Sequence, residues 1–257
     1  MIAELLPYNI FKTLFGDRRK YGKTPAASDA DWQKWQKDYH LFYNSTQRGG
    51  IGRIVNDWGY RIMRRVDLTG KKTLEIGAGD IQHFRHWNGV PAHYTLADVN
   101  QAMLEKAARA LSERAIPCEK IILADGASHK LPLDNAVFDV VLSFYSLEHL
   151  HPLSSHLEEI ARVLKPGGIL AGAIPAEGGL AWGLGRLITS RPDLMRAGVN
   201  VEKIVCWEHP NLACEVLQGL RRLFTITKLD FSPLFIPLID CNLTIGFIAR
   251  KKGEPHA

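Results

Sequence analysis

A short apolar run that ends in two closely spaced glycines constrains the fold most. Residues 72–80 read KTLEIGAGD, with strand-forming Leu74 and Ile76 followed by Gly77 and Gly79. Glycine permits backbone angles and a close approach of ligands that a Cβ atom would block. In an open parallel sheet, ligands bind beyond the carboxyl ends of strands, at turns of this kind. The run predicts a buried strand and a nucleotide-type turn, although an ordinary strand-to-helix turn has the same pattern.

Two common phosphate-binding motifs are incomplete at this turn. No Gly-Lys-Ser/Thr follows the glycines, which excludes a Walker loop. Ile81 stands where a dinucleotide-binding fingerprint would continue with a small residue. The turn therefore indicates a nucleotide-like ligand without a device for a triphosphate.

Composition indicates a globular chain in a reducing compartment. The 257 residues are 46% hydrophobic and 23% charged, values that suit one large α/β domain or two small ones. The four cysteines show no C-x-x-C spacing, which disfavours a zinc site or a disulfide framework. Residues 1–15 lack signal-peptide character, and no apolar run approaches the roughly 20 residues of a membrane span. We therefore expect a cytoplasmic protein. Its net charge of +5 favours a solvated basic surface over an anion-binding one.

Strand and helix patterns alternate from about residue 71. Strands are expected at 73–76, 93–97, 120–124, 138–144 and 168–174, with helices at 81–87, 101–113 and 152–164 between them. This alternation predicts parallel βαβ units of right-handed connection. Two further β-rich runs, at 223–229 and 242–249, have no helix between them and are expected to pair antiparallel. The sequence thus predicts a doubly wound, mostly parallel α/β sheet.

Two helical segments flank and interrupt this alternation. Residues 1–66 are expected to form an N-terminal helical cap, and residues 67–257 the main domain. In the cap, Trp32, Trp35, Tyr39 and Phe42 share one helix face, which we expect to pack on the main domain.

The second helical segment, at about 176–219, is expected to be a lid insertion. It holds helices near 180–189 and 211–222 and a loop at 191–193. Both helical segments are long enough to roof a pocket. Such a roof suits an enclosed small ligand because it removes water from the site.

Acidic residues end three consecutive strands. Glu75, Asp98 and Asp125 stand at these ends. An acid at the end of the second strand, about 20 residues beyond a glycine turn, is the position that binds ribose hydroxyls in nucleotide-binding folds. A carboxylate suits this task because it accepts strong hydrogen bonds. The three acids together predict that a nucleoside is bound at this edge.

An ordered series of motifs resembles the class I S-adenosylmethionine-dependent methyltransferases, in the branch that contains many small-molecule enzymes. The motifs are LEIGAG at 74–79, LADVNQAML at 96–104, ADG at 124–126, LPL at 131–133, FDVVLS at 138–143, SLEHL at 146–150 and RVLKPGG at 162–168. The resemblance covers residues 70–174. It implies a seven-stranded sheet with the last strand antiparallel, S-adenosylmethionine as methyl donor and S-adenosylhomocysteine as product.

The resemblance also implies roles for individual residues around the methionine part of the cofactor. Gly77 and Gly79 would let the backbone approach this part, and Ser143 would pass close to its end. Glu75 would orient the turn or bind the amino group. Tyr43 could close over the cofactor, although core packing explains it as well. Ile81 departs from the usual third glycine of the loop and leaves the local loop shape open.

The nucleoside part of the cofactor has its own implied contacts. Asp98 would hold the ribose hydroxyls, with Val99 and Met103 flanking the adenine. Asp125 would accept a hydrogen bond from the adenine amino group, and the backbone of Gly126 would donate one.

Residues for the methyl-accepting side are less clearly marked. The sulfonium is already activated, so transfer needs an aligned nucleophile, exclusion of water and a proton acceptor for a hydroxyl or amine. His149, His209 and Tyr145 are the candidates for base or substrate contact, and Glu177 lies at the same edge. Some relatives bind a divalent metal through an extra acid before the Glu148-His149 pair. Tyr145 occupies that place here, so no metal is expected.

The sequence predicts O- or N-methylation of a small organic acceptor. Base methylation in nucleic acid is disfavoured, because SFYS at 143–146 replaces an Asn/Asp-Pro-Pro-Tyr type motif. An RNA methyltransferase and a cofactor-binding scaffold without turnover remain the alternatives. The acceptor and the oligomeric state are left open.

Overall fold

A seven-stranded sheet forms the centre of the computed structural model, which describes residues 5–42, 50–123 and 129–253. The strands are β1 Lys72–Ile76, β2 His93–Asp98, β3 Cys118–Ile122, β4 Phe138–Phe144, β5 Leu164–Pro175, β6 Phe224–Ser232 and β7 Thr244–Lys251. Their order in the sheet is β3-β2-β1-β4-β5-β7-β6. The first five strands pair in parallel, and β7 lies antiparallel between β5 and β6. The predicted doubly wound sheet with an antiparallel last strand is confirmed.

Helices pack against both faces of the sheet and beyond its carboxyl edge. They are α1 Tyr8–Phe15, α2 Arg18–Tyr21, α3 Ala30–Phe42, α4 Gly50–Tyr60, α5 Gln101–Ser112, α6 Leu153–Val163, α7 Leu180–Ile188, α8 Ser190–Arg196, α9 Val201–Glu208 and α10 Ala213–Leu223. Short 3₁₀ helices lie at Arg61–Arg65, Phe84–His86 and Ile239–Cys241. Within the described ranges, no helix has both the length and the apolar character needed to cross a bilayer.

The apolar core is divided by the sheet into two clusters. On one face, Leu157 of α6 and Leu217 of α10 pack with the buried strand residues. On the other face, Ile62 of the first 3₁₀ helix and Leu104 of α5 do the same. Strands covered on both faces are apolar along their length instead of alternating. This explains why runs such as VVLSF at 140–144 predict central strands.

The N-terminal segment packs at two places. Helix α4 lies on β5 and β7, so closely that a Cβ atom on Gly59 would fall 2.6 Å from Cβ of Ala173. Helices α1 to α3 contact α7 and α9 instead. Trp35 is buried against Leu194 and Ile204, which places the aromatic face of α3 on the insertion. The side chains of Tyr39 and Phe42 lie outside the described part of the chain.

Two predicted elements are wrong. Residues 81–87 do not form an α-helix but one 3₁₀ turn at Phe84–His86. The φ of +46° at Ile81 prevents a right-handed helix from starting at that residue. Residues 191–193 belong to helix α8. Pro192 lies in the first turn of α8, where its missing N–H removes no intrahelical hydrogen bond.

Candidate functional site

The turn after β1 has the backbone geometry that its glycines predict. Gly77 and Gly79 have φ angles of +68° and +52°, in the left-handed region that favours glycine. A Cβ atom on Gly77 would lie 2.5 Å from Cβ of Ser146. Ser146, in the turn after β4, also donates through Oγ to the carbonyl of Ile76 at 3.0 Å. The turns after β1 and β4 are therefore in contact at the carboxyl edge of the sheet.

Asp98 connects the end of β2 to the glycine turn. Its Oδ2 accepts from the N–H of Gly79 at 2.9 Å, and its Oδ1 accepts from the N–H of Asn100 at 2.8 Å. Burial raises the pKa of this carboxyl, although the backbone donors favour its ionised form. A carboxylate offers about four lone-pair sites. Asp98 therefore keeps acceptor capacity for two further donors.

Apolar surface is exposed next to Asp98. Val99 is 57% exposed and Ile122, the register partner of Asp98 on β3, is 58% exposed. Met103 lies in the first turn of α5, where its N–H donates to the Asn100 side chain at 3.1 Å. An ionisable acceptor beside exposed apolar side chains suits a ligand that combines hydroxyl groups with a flat ring. Ile122 was not predicted as a site residue, because the strand was expected at 120–124, whereas β3 ends at Ile122.

Glu75 is buried beneath the turn. The hydroxyl of Tyr94 donates to its Oε2 at 2.5 Å, and His83 Nε2 lies 2.9 Å from its Oε1. The indole N–H of Trp87 donates to His83 Nδ1 at 2.8 Å. Because an indole can only donate, the His83 proton is on Nε2 and points to Glu75. These bonds hold the segment after the turn against β1, so Glu75 orients that segment. Its contact with a ligand amino group stays a prediction.

Ile81 keeps a glycine-like backbone at the position where the glycine pattern fails. Its φ of +46° is in the left-handed region, and its side chain is 4% exposed within the core cluster of α5. The preceding residue, Asp80, accepts a charged hydrogen bond from Lys106 at 2.7 Å. The turn therefore combines a left-handed backbone with a buried β-branched side chain at the position of the usual third glycine.

Ser143 and Tyr145 stabilise the turn after β4. The hydroxyls of Ser143 and Ser146 are 2.5 Å apart in the buried interior. The Tyr145 hydroxyl donates to the carbonyl of Asn56 at 3.0 Å and contacts Thr244 Oγ1 at 3.0 Å. Burial raises the pKa of this phenol far above its ordinary value. The Tyr145 hydroxyl thus links α4 to β7, and its predicted role toward a substrate stays untested.

His149 and His209 come together although they lie far apart in the sequence. Their ring centroids are 4.8 Å apart at an interplanar angle of 81°. His149 Nδ1 donates to the carbonyl of Glu208 at 2.5 Å, and His209 Nδ1 donates to Glu177 Oε2 at 2.7 Å. Each imidazole is therefore oriented by a hydrogen bond through Nδ1, and its Nε2 is the atom left for another partner.

Glu177 fixes His209 from within a buried ion-pair network. Arg186 donates to both carboxylate oxygens of Glu177, and Trp182 Nε1 donates to Oε2 at 2.8 Å. Burial alone would raise the pKa of Glu177, but the charges of Arg186 and His209 outweigh it and hold that pKa far below its usual range. For His209 the sign is opposite: burial alone would lower its pKa, but the hydrogen bond to Glu177 and the charge of Glu177 raise it. Trp182 and Arg186 were missed from sequence, although their four-residue spacing on α7 after Glu177 was a usable signal.

Glu148 faces the two histidines. Its Oε1 lies 3.8 Å from His149 Nε2, and its buried Oε2 has no hydrogen-bond partner among the described residues. Burial raises the pKa of Glu148 to about 7 and, together with His209, lowers that of His149 to about 3. Ligand atoms of Glu148, His149 and His209 all lie within 4.8 Å of one another. We refer to these three residues as the Glu-His-His cluster.

Three predicted cofactor residues cannot be placed. Asp125, Gly126 and Tyr43 lie outside the described residues. The remaining predicted residues gather at the carboxyl edge in two groups. The group around the glycine turn and Asp98 is joined through Ser146 to the Glu-His-His cluster, which begins two residues later.

Comparison with known proteins supports the same region. Residues 74–172 match the family described as "Methyltransferase domain". A demethylmenaquinone methyltransferase of Corynebacterium urealyticum is 38% identical over 115 residues, covering 44% of this chain and 46% of that protein. A phthiotriol/phenolphthiotriol dimycocerosates methyltransferase of Mycobacterium leprae is 32% identical over 121 residues, covering 44% and 40%. The matched part spans about half the length of these relatives, or less.

A solved structure extends the likeness to most of the fold. N-methyltransferase NodS of Bradyrhizobium japonicum, in complex with S-adenosyl-l-homocysteine, superposes with a TM-score of 0.52 at 14% identity, covering 85% of this chain and 98% of that one. The sheet order, the motifs of residues 74–172 and the family match agree. The chain contains a class I S-adenosylmethionine-dependent methyltransferase domain.

Proposed function

We propose that the protein transfers the methyl group of S-adenosylmethionine to an oxygen or nitrogen atom of a small organic acceptor. One observation carries this proposal. The turn after β4 contacts the glycine turn through Ser146 and continues directly into the Glu-His-His cluster. This contact supports the proposal, because a transfer between two bound molecules requires the proposed nucleoside-binding edge and the proposed acceptor contacts to be adjacent.

The residues at the glycine turn fit S-adenosylmethionine. Asp98 has acceptor capacity for the ribose hydroxyls, and exposed Val99 offers an apolar surface for the adenine. Met103 flanks the same region at the start of α5. Gly77 and Gly79 would lie along the methionine part, with Ser143 near its end. The assignments of Asp125, Gly126 and Tyr43 rest on the sequence motifs alone.

When bound, the cofactor supplies an electrophilic methyl group on a sulfonium. The chain's own residues then have to hold an acceptor in line with it and receive a proton from it. His149 and His209 each present Nε2, because their Nδ1 atoms are occupied by Glu208 and Glu177. We therefore propose these two nitrogen atoms as the contacts for the hydroxyl or amine of the acceptor.

The N-terminal helices and the insertion are proposed to roof the acceptor pocket. Helices α1 to α3 pack on α7 and α9, and His209 follows α9 directly. All four cysteines are free thiols, which supports a reducing compartment such as the cytoplasm.

Cofactor binding by Asp98→Ala tests the proposal. The substitution removes a buried acceptor and strands two backbone donors, so affinity for S-adenosylmethionine should fall by about 1–3 kcal/mol, or roughly 5- to 150-fold. Titration calorimetry of the full chain measures this change. Asp139→Ala is the matched control, because Asp139 also accepts from a backbone N–H but lies at the opposite edge of the sheet.

An acceptor screen with methyl-labelled cofactor tests turnover. Transfer of label to a small hydroxyl or amine compound supports the proposal. Tight cofactor binding without transfer to any acceptor would favour a scaffold role, and steeply salt-dependent binding of RNA would favour an RNA substrate. Unchanged cofactor affinity in Asp98→Ala would refute the assigned binding edge.

A further inference from the structure

The Glu-His-His cluster combines three donor atoms that common divalent metal ions use. A carboxylate oxygen of Glu148 and one nitrogen from each of His149 and His209 lie within 4.8 Å of one another. Within the cluster, Glu148 Oε1 and His149 Nε2 are 3.8 Å apart. Ligand atoms around a tetrahedral zinc ion, with bonds of about 2.0–2.1 Å, are about 3.3 Å apart. Metal binding would therefore shorten the distance between Glu148 Oε1 and His149 Nε2 by about 0.5 Å.

Both histidines are oriented as metal ligands are. A metal-binding histidine donates its other ring N–H to a carboxylate or a backbone carbonyl, which fixes the tautomer and the ring. His209 donates to the carboxylate of Glu177, and His149 donates to the carbonyl of Glu208. Arg186 and Trp182 hold Glu177 in turn. The two Nε2 atoms therefore have the lone pairs that a cation needs.

Glu148 provides an independent observation. It is 2% exposed, and its Oε2 is buried without a hydrogen-bond partner among the described residues. Burying an unpaired carboxylate oxygen is unfavourable, and such groups in proteins are paired or bind metal ions. The ion pair of Glu177 with Arg186 explains the position of His209. It does not explain why Glu148 is buried beside the histidines with one oxygen unpaired.

We propose that Glu148, His149 and His209 bind a divalent transition-metal ion of the zinc type. Two imidazoles and one carboxylate form the donor set of catalytic zinc sites and of non-haem iron sites, and both leave positions open for another ligand. The absence of a metal was predicted because Tyr145 replaces an acidic ligand. In the structure the Tyr145 hydroxyl contacts α4 and β7, and the third donor comes from His209 instead. With the ion bound, the two Nε2 lone pairs would be used by the metal, and the acceptor would take the open position instead of contacting the imidazoles directly. That use of the open position rests on the proposed function, whereas metal binding does not.

Metal titration of the chelator-treated full chain tests this inference. Zn²⁺ should bind with a stoichiometry of about one in calorimetry, and Co²⁺ should give the visible absorption of a tetrahedral or five-coordinate site. Glu148→Gln keeps the size of the side chain but removes the charged ligand, and His209→Asn removes a nitrogen ligand. Each should weaken Zn²⁺ binding at least tenfold, in line with losses on perturbing metal sites.

A second pair of histidines provides the matched control. His129 Nδ1 and His156 Nε2 are 3.2 Å apart, so His156→Asn removes a histidine pair elsewhere on the protein. This variant should bind Zn²⁺ like the wild type. Loss of binding in His156→Asn with retention in Glu148→Gln would overturn the proposal, as would a wild-type chain that binds no Zn²⁺.

Two further measurements separate misfolding and failure of the proposed function from failure of the metal site. Glu177→Gln leaves all three ligands in place but removes the charge that orients His209, so it should weaken Zn²⁺ binding without abolishing it. Thermal unfolding and cofactor titration of each variant report on the fold. Asp98→Ala should lose cofactor affinity and keep Zn²⁺ binding, whereas Glu148→Gln should show the reverse. If Glu148→Gln folds, binds cofactor and retains full Zn²⁺ affinity, the assignment is wrong.

Discussion

The left-handed backbone of Ile81 makes an unusual prediction about stability. Its φ of +46° places a β-branched residue in a region that costs about 1–2 kcal/mol for any residue with a Cβ atom. Alanine at position 81 keeps this cost, and glycine removes it. Glycine in turn loses about 0.5–1 kcal/mol relative to alanine through the greater entropy of the unfolded chain. Ile81→Gly should therefore be more stable than Ile81→Ala, by up to about 1.5 kcal/mol.

Both variants should be less stable than the wild type. Ile81 is 4% exposed and packs in the core cluster of α5, and truncating a buried isoleucine costs about 2–5 kcal/mol. Relief of strain in Ile81→Gly offsets only part of this loss. The shape of the glycine turn does not depend on the side chain, so the affinity for cofactor should change little in the folded fraction of either variant.

Equilibrium unfolding in urea, with linear extrapolation, measures the difference between the two variants. Ala107→Gly is the control. Ala107 is fully buried in the middle of α5, where glycine should be less stable than alanine by about 1 kcal/mol or more. If Ile81→Gly also proves less stable than Ile81→Ala by 0.5 kcal/mol or more, the backbone at this residue is not left-handed in solution and the account of the turn fails.

Three other predictions address the carboxyl edge. Gly77→Ala should destabilise the protein by about 2 kcal/mol or more in urea unfolding, because its Cβ would lie 2.5 Å from that of Ser146. The double variant Gly77→Ala/Ser146→Gly should recover part of this stability. Unchanged stability in Gly77→Ala would refute the contact between the two turns. Burial raises the pKa of Asp98, so the ionised form that we propose binds the ribose is lost on acidification at a higher pH than for an ordinary aspartate. Cofactor affinity by calorimetry should fall as pH decreases toward that pKa, and Asp98→Asn should flatten the profile. Glu177→Gln should lower the free energy of unfolding by about 3–5 kcal/mol, because it leaves Arg186 buried and unpaired. Adding Arg186→Met should restore most of this stability. Additive losses in the double variant would contradict the pairing of the two residues.

The fold could be predicted from sequence because the relevant signals are local. Leu74 and Ile76 before the glycines, and the strand and helix patterns after them, each depend on neighbours within a few residues. The predicted helix at 81–87 was wrong because its outcome depends on distant contacts. His83 and Trp87 are held by hydrogen bonds to Glu75 and to each other, and these compete with a helix that the local pattern favours.

The site could be predicted only in part for the same reason. Asp98 follows a glycine turn at a recognisable spacing, so its place at the ligand edge was expected. The meeting of His149 with His209 depends on how α9 folds back over the sheet, and no local pattern encodes this. Helix α9 itself was not predicted. The sequence therefore indicated each histidine as a candidate but could not indicate that both face Glu148.

The N-terminal segment is part of the site as well as a cover for it. Arg18, at the start of α2, donates to the carbonyls of His209 and Pro210 at 2.7 and 2.9 Å. Arg186 donates to the carbonyl of Leu14 at 3.2 Å while it holds Glu177. The backbone and the side chain of His209 are thus each connected to residues before α3. The segment that carries His209 is also held directly on the turn of Glu148, because Asn211 donates to the carbonyls of Leu147 and Leu150. The N-terminal helices therefore add to the contacts that position His209 in the Glu-His-His cluster. Arg18→Ala removes the two hydrogen bonds to the His209 and Pro210 carbonyls, so it should weaken Zn²⁺ binding less than His209→Asn does in the same calorimetric titration.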